Sequence, residues 1–292
     1  MTSTMNKNPL LRYFRISEWI SRKTGTDKKM VYRLLIRCMA PDKKRALKIL
    51  SDCNFFLVLS TGRTGTMWLT DLLSNAAGAC VMHEPVPEEQ IANVRAFRDK
   101  DFARNYLINF RLREMALRCR LTLSSVYGEV NPALKYFAPL FREFIPTVKI
   151  IHVIRDGRDV VRSVFSRDPF TEKDKRNYLP PQECIDPLQW NYMDRFEKIC
   201  WVWSYENGFL RENSDLSVKF EDIILSYEKF NDSIASPLNL KIPYEIWQKS
   251  VPNPRNRTED YSIGKWEDWS ELQKNKFIQW CGEQMKTHGY TI

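Results

Sequence analysis

The sequence predicts an α/β protein in three layers, a mainly parallel sheet flanked by helices. Three observations lead there. Apolar runs of strand length recur along the 292 residues, the clearest of them stop at polar turns, and apolar residues at helical spacing follow those turns. Strands that alternate with helices pair in parallel, and such sheets take their ligands at the carboxyl ends of the strands.

The elements follow in chain order. Residues 54–59 form a buried strand that ends in the turn Ser60-Thr61-Gly62-Arg63-Thr64-Gly65-Thr66. After it, Met67, Trp68, Leu69, Leu72 and Leu73 repeat as on a helix. A second strand around Cys80-Val81-Met82 runs into His83-Glu84-Pro85, and 88–120 is mainly helical. Residues 125–130 make a third strand, closed by Asn131-Pro132. The strongest strand, 148–154, ends at Arg155-Asp156-Gly157-Arg158-Asp159, and Val160, Val161, Val164 and Phe165 continue as a helix. Residues 216–220 form the last strand. The stretch 166–194 carries Pro169, Pro180, Pro181 and Pro187 without periodicity, as a long loop over a site would.

Composition narrows the class. A hydrophobic fraction of 43% and an aromatic fraction of 13% exclude a disordered chain. Seven scattered cysteines with no C-x-x-C pair point away from a zinc site and a disulfide framework, and their odd number fits a reducing compartment. With three histidines, a histidine-rich metal site is not expected.

Positive charge is concentrated at the N-terminus. Residues 1–50 hold 13 Lys or Arg against Glu18, Asp27 and Asp42, whereas the remainder holds 32 basic and 33 acidic residues. Tyr13, Ile16 and Ile20, then Val31, Leu34 and Leu35, make 1–50 a basic helical extension ahead of a domain over 51–292. Such a helix either rests on an anionic membrane surface or packs on the core with its charged face solvated. Charges interrupt every apolar run well before the ~20 residues of a membrane span, and no signal-peptide core is visible. A cytosolic location follows, with peripheral contact at the inner membrane surface left open. No nucleic-acid-binding motif accompanies the basic segment, so nucleic acid is not an expected partner.

The turn at 60–66 has the chemistry of an anion cradle. Gly62 and Gly65 allow unusual backbone angles, and a helix begins near Thr66, so successive N–H groups converge on its N-terminus. Thr64 and Thr66 add hydroxyls, and Arg63 adds a planar cation suited to phosphate. The Walker A pattern is absent, because no Lys-Ser/Thr pair follows Gly65. That disfavours an ATP-dependent kinase without disfavouring a phosphate ligand.

Ser60 through Trp68 resembles the 5′-phosphosulfate loop of PAPS-dependent sulfotransferases, in which a Lys or Arg precedes Ser/Thr-Gly-Thr. Residues 151–163 resemble the family's 3′-phosphate motif, a strand-end arginine followed eight positions later by a serine, here Arg155 and Ser163. Val218-Lys219-Phe220-Glu221-Asp222 is similar to a later strand of the family, and Ser262-Ile263-Gly264-Lys265-Trp266 to its C-terminal Gly-basic-Trp element. The resemblance spans residues 53 to 269 and favours the carbohydrate and tyrosylprotein branches. It implies a P-loop-like nucleotide-binding fold, PAPS as donor and no metal. It further implies donor contacts from Arg63, Thr64, Gly65, Thr66, Met67 (through its backbone N–H), Trp68, Arg155, Ser163 and Lys265. The match departs at Gly128-Glu129-Val130-Asn131-Pro132, where related sequences carry Gly-Glu-Lys-x-Pro; Lys135 is the nearby substitute.

Sulfuryl transfer asks a protein mainly for in-line positioning and for charge stabilisation on the leaving phosphate, a role the resemblance gives to Arg63. The acceptor hydroxyl must also lose a proton. The resemblance implies Glu84 as the favoured base, 21 positions after Arg63 where the carbohydrate and tyrosylprotein branches place a glutamate, and His83, similar to the histidine of the small-molecule branch, as the alternative. Neighbours on a strand point to opposite faces, so the two are not expected to serve together. Trp190, Tyr192, Trp201, Trp203 and Tyr205 are either core or an aromatic platform for a carbohydrate or glycolipid acceptor. A non-catalytic PAPS- or PAP-binding protein and an atypical P-loop-like kinase are the alternatives. The oligomeric state is not legible.

Overall fold

The computed structural model describes residues 31, 34, 36, 38–86, 88–252, 258 and 260–292. Of the expected N-terminal helix, Tyr13, Ile16, Ile20 and Leu35 lie outside them. The described elements begin with α1 (Lys43–Asp52), β1 (Asn54–Leu59), α2 (Thr66–Leu73), β2 (Ala79–His83), α3 (Glu89–Arg98), α4 (Lys100–Tyr106), α5 (Leu112–Thr122) and β3 (Val126–Val130). A 3₁₀ turn (Pro132–Phe137) leads into α6 (Ala138–Phe144), β4 (Lys149–Ile154) and α7 (Gly157–Phe165). Then come α8 (Pro187–Tyr192), α9 (Arg195–Glu212), β5 (Leu216–Lys219), α10 (Phe220–Leu225), α11 (Tyr227–Phe230), α12 (Tyr244–Ser250) and α13 (Glu271–Thr287).

The five strands lie in the order β2-β3-β1-β4-β5, every pairing parallel. The period of two along β1 divides the core. Phe55, Leu57 and Leu59 face one layer with Leu50 of α1 and Met115 of α5, while Phe56 and Val58 face the other with Leu69 and Leu72 of α2. The protein is therefore the three-layer α/β fold that the apolar runs predict. A third apolar cluster joins Ile154, Val160 and Val161 to Trp203 of α9 and Phe277 of α13, and so braces the end of β4.

Two boundaries differ from expectation. The limit at residue 50 falls inside α1, whose Ala46 and Leu50 are completely buried in the main core. Phe220 opens α10 instead of closing β5. Among the described residues no helix is long and apolar enough to cross a membrane.

The strand order also positions a crevice. β1 lies between β3 and β4, so chain connections depart to opposite sides at its carboxyl end, the switch point at which parallel sheets bind ligands.

Candidate active site

The loop after β1 is shaped by its backbone. Gly62, Arg63 and Gly65 have φ of 90°, 59° and 70°, left-handed values that let successive N–H groups converge on one anion. The Ser60 hydroxyl accepts from Gly62 N at 3.2 Å, and the N-cap of α2, Gly65, supplies no side-chain cap to its first amides. At Gly65 glycine is required twice over: beyond its φ, a Cβ would sit 2.2 Å from Cε2 of Phe220. The same Phe220 ring packs edge-on against Trp68 at 5.9 Å and lies 5.6 Å beneath the Arg155 guanidinium. Thr64 is buried, and its hydroxyl has no hydrogen-bond partner among the described residues.

The two polar motifs meet directly. Arg63 donates from Nε to Ser163 Oγ at 2.9 Å and from Nη2 to Thr258 Oγ1 at 3.0 Å, and the two hydroxyls are 2.9 Å apart. Arg155, from the end of β4, donates to the Arg63 carbonyl at 3.1 Å and pairs with Asp159 at 2.7 Å. Burial lowers the proton affinity of Arg63, as do the nearby Arg167 and Arg155. Three guanidinium groups gathered at the strand ends make a site for a polyanion. Thr258 escapes sequence reasoning, because nothing in Arg255-Asn256-Arg257-Thr258 marks the threonine apart from its neighbours.

An open cavity of about 580 Å³ adjoins the loop and is lined by Thr61, Gly62, Arg63 and Thr66, by both His83 and Glu84, and by residues of the following layers. The expectation that His83 and Glu84 diverge is corrected here. β2 ends at His83, and Glu84 takes φ 39°, which breaks the strand alternation and turns both side chains toward one space. His83 Nε2 lies 2.9 Å from Thr66 Oγ1, and burial lowers its pKa against the opposing pull of Glu84 and Asp71. The Glu84 carboxylate makes no hydrogen bond or ion pair among the described residues.

The loop from 166 onward does run over the cavity, which it lines with Arg167 to Phe170, Lys173 to Arg176, and Tyr178. One side chain holds its start: Arg195 donates to the carbonyls of Phe165 at 2.9 Å and Pro169 at 2.8 Å, and also to that of Arg167. Lys135 and Glu206 also line the cavity, as a buried ion pair at 3.1 Å. Burial raises the pKa of Glu206, while Lys135 opposes the rise.

Several predicted contacts fall elsewhere. Trp68 is a core residue of the α2 layer with its indole N–H bonded to Ser250 at 3.1 Å, so its ring has no open face for a base. Met67, by contrast, keeps its backbone N–H in the first turn of α2 beside the loop, with its side chain exposed. Lys265 is exposed and does not line the cavity; its backbone amide donates to Asp268 at 3.1 Å. Trp190 and Trp201 pack together in the core, and Tyr192 is 87% exposed; Trp203 is core and also lines the cavity.

No protein-family model and no curated protein matches the chain. Solved structures resemble it at low identity. A sulfotransferase from Mycobacterium avium superposes with a TM-score of 0.47 and 11% identity, over 98% of this chain and 98% of that one. A sulfotransferase from Mycobacterium tuberculosis gives 0.46 and 14%, over 86% and 84%. A mouse sulfotransferase complexed with PAP gives 0.44 and 14%, over 86% and 92%. Any functional reading therefore stands on this chain's own residues.

Proposed function

We propose that the chain is a sulfotransferase that moves a sulfuryl group from PAPS to an acceptor hydroxyl of a carbohydrate or glycolipid. The observation that carries this reading is the Arg63–Ser163 hydrogen bond at 2.9 Å, which unites two phosphate-binding motifs 100 residues apart in sequence. A ligand phosphorylated at both ends of a nucleoside suits that junction. The residues fit such a donor: the buried Thr64 hydroxyl has no hydrogen-bond partner among the described residues, the positive-φ loop is suited to an anion, and Arg155, bonded to the Arg63 carbonyl, would supply a second cation beside it.

In the proposed reaction the acceptor oxygen bonds to sulfur as the bond from sulfur to the 5′-phosphate oxygen breaks. The electron pair leaves with that phosphate, and Arg63 stabilises the charge. The acceptor proton passes to Glu84. Two observations favour Glu84 over His83: His83 is engaged with Thr66, and burial makes its imidazole a weaker base.

Calorimetry with PAP and AMP, followed by transfer of label from radiolabelled PAPS to a panel of glycosides, tests the reading. Expected are magnesium-independent binding of PAP about tenfold or more tighter than AMP, and labelled product. Magnesium-dependent ATP turnover, or equal affinity for PAP and AMP, would overturn it.

A further inference from the structure

One wall of the cavity is not used by the chemistry above. Lys135, in the 3₁₀ turn after β3, and Glu206, in α9, both line the space and are 8% and 2% exposed. Glu206 also accepts from the Tyr136 hydroxyl at 3.0 Å, and that hydroxyl lies 2.6 Å from the hydroxyl of Tyr178. Removing two ions from water is costly, and well-packed apolar side chains of similar volume commonly serve stability as well or better. Folding is thus a poor account of the pair. Its position on the cavity supplies a better one.

We infer that Lys135 and Glu206 form the acceptor subsite and that it selects a neutral polyhydroxylated ring; this rests on the sulfuryl-transfer reading. An ammonium has three N–H donors. Glu206 and the Pro132 carbonyl, at 3.1 and 3.4 Å, take two of them, which leaves one for the cavity. Each Glu206 oxygen accepts one bond, from Lys135 or from Tyr136, and has capacity for another. A hydroxyl both donates and accepts, so an acceptor with adjacent hydroxyls satisfies both partners. A charged group satisfies only one of the two, because a carboxylate accepts from Lys135 but offers Glu206 no donor, and an ammonium donates to Glu206 but accepts nothing from Lys135. The neighbouring Arg176–Asp174 pair, at 2.8 Å on the same cavity, is likewise balanced. Val164 and Trp203 give the space an apolar side for the C–H face of a ring.

Saturation-transfer NMR with methyl β-galactoside, cyclohexanol and glucuronate, each with and without PAP, tests the inference. The glycoside should bind about tenfold or more tighter than either competitor. The double variant K135M/E206L removes both charges together, so that neither is left buried without its counter-ion. It should keep the melting temperature and the PAP affinity of the parent, yet lose about tenfold or more of the glycoside affinity. If it does not fold, E206Q supplies the same readout. Three results overturn the subsite: no glycoside signal in any condition, glucuronate binding as well as the glycoside, or a folded variant that binds the glycoside normally. Absence of PAP binding sinks the donor reading separately, since the glycoside is also titrated alone.

Discussion

Gly65→Ala isolates what seats the donor loop. The new methyl group would lie 2.2 and 2.5 Å from Cε2 and Cζ of Phe220, far inside contact distance, while φ stays near 70°. A left-handed residue with a Cβ costs about 1–2 kcal/mol, and forcing a side chain aside in a packed region costs about 1–3 kcal/mol more. The sum is about 2–5 kcal/mol. Gly62→Ala is the internal control: its φ is 90°, but nothing lies within 4 Å of its Cβ, so only the conformational cost of about 1–2 kcal/mol applies. Urea denaturation of both variants measures the difference, and PAP titration reports the site. The displaced Phe220 ring also lies under Arg155, so PAP affinity should fall in Gly65→Ala more than in Gly62→Ala. A Gly65→Ala, Phe220→Leu double variant should recover about 1–3 kcal/mol relative to additivity. Equal destabilisation at the two glycines, or strict additivity with Phe220→Leu, would refute the steric argument.

Four further outcomes are expected. Glu84→Gln should lower label transfer from PAPS by about 10²–10⁴-fold and leave PAP affinity unchanged; undiminished turnover excludes Glu84 as the base. Ser163→Ala removes the hydroxyl proposed for the 3′-phosphate and should weaken PAP by about tenfold while sparing AMP, whereas Thr258→Ala removes a partner of Arg63 at the 5′-phosphate and should weaken PAP and AMP alike, both read by calorimetry. Burial raises Glu89 from 4.5 to about 7 despite Arg111, so the folded state holds this proton more tightly than the unfolded chain. Its contribution is most favourable below pH 4.5 and is lost as pH rises to about 7. Glu89→Gln should therefore gain about 3 kcal/mol relative to the parent between pH 4.5 and pH 8, and an unchanged difference in urea midpoints would rule this out. Finally, residues 1–50 should carry the protein onto anionic vesicles at low salt and release it at high salt; a salt-insensitive result, or none, argues against membrane contact.

The sheet is legible in the sequence because buried parallel strands are continuous apolar runs, and β1 and β4 have little other reading. The strand-end motifs are legible for the same reason, since a glycine-bearing turn after such a run falls at the sheet's ligand edge. What fails to show is whatever depends on a third dimension. Trp68 sits at a helical position that suits either core or ligand, and packing with Phe220 decides for the core. The positive φ of Glu84 is not a property its side chain favours, so strand alternation misplaces it relative to His83. Thr258 and Glu206 join the site through contacts 195 and 70 residues distant in sequence, to Arg63 and Tyr136, and no local pattern announces them.

The hold of Arg195 on the carbonyls of residues 165, 167 and 169 has a consequence for how specificity can change. Main-chain carbonyls exist whatever the side chains are, so the loop's course is insured against substitution at Asp168, Phe170 or Lys173. The donor cradle has no such tolerance, since Gly65 and Phe220 admit each other and little else. Variation can therefore accumulate on the acceptor wall while the donor wall stays fixed, and a single scaffold can be retargeted by exchanging side chains on a path that one arginine keeps in place.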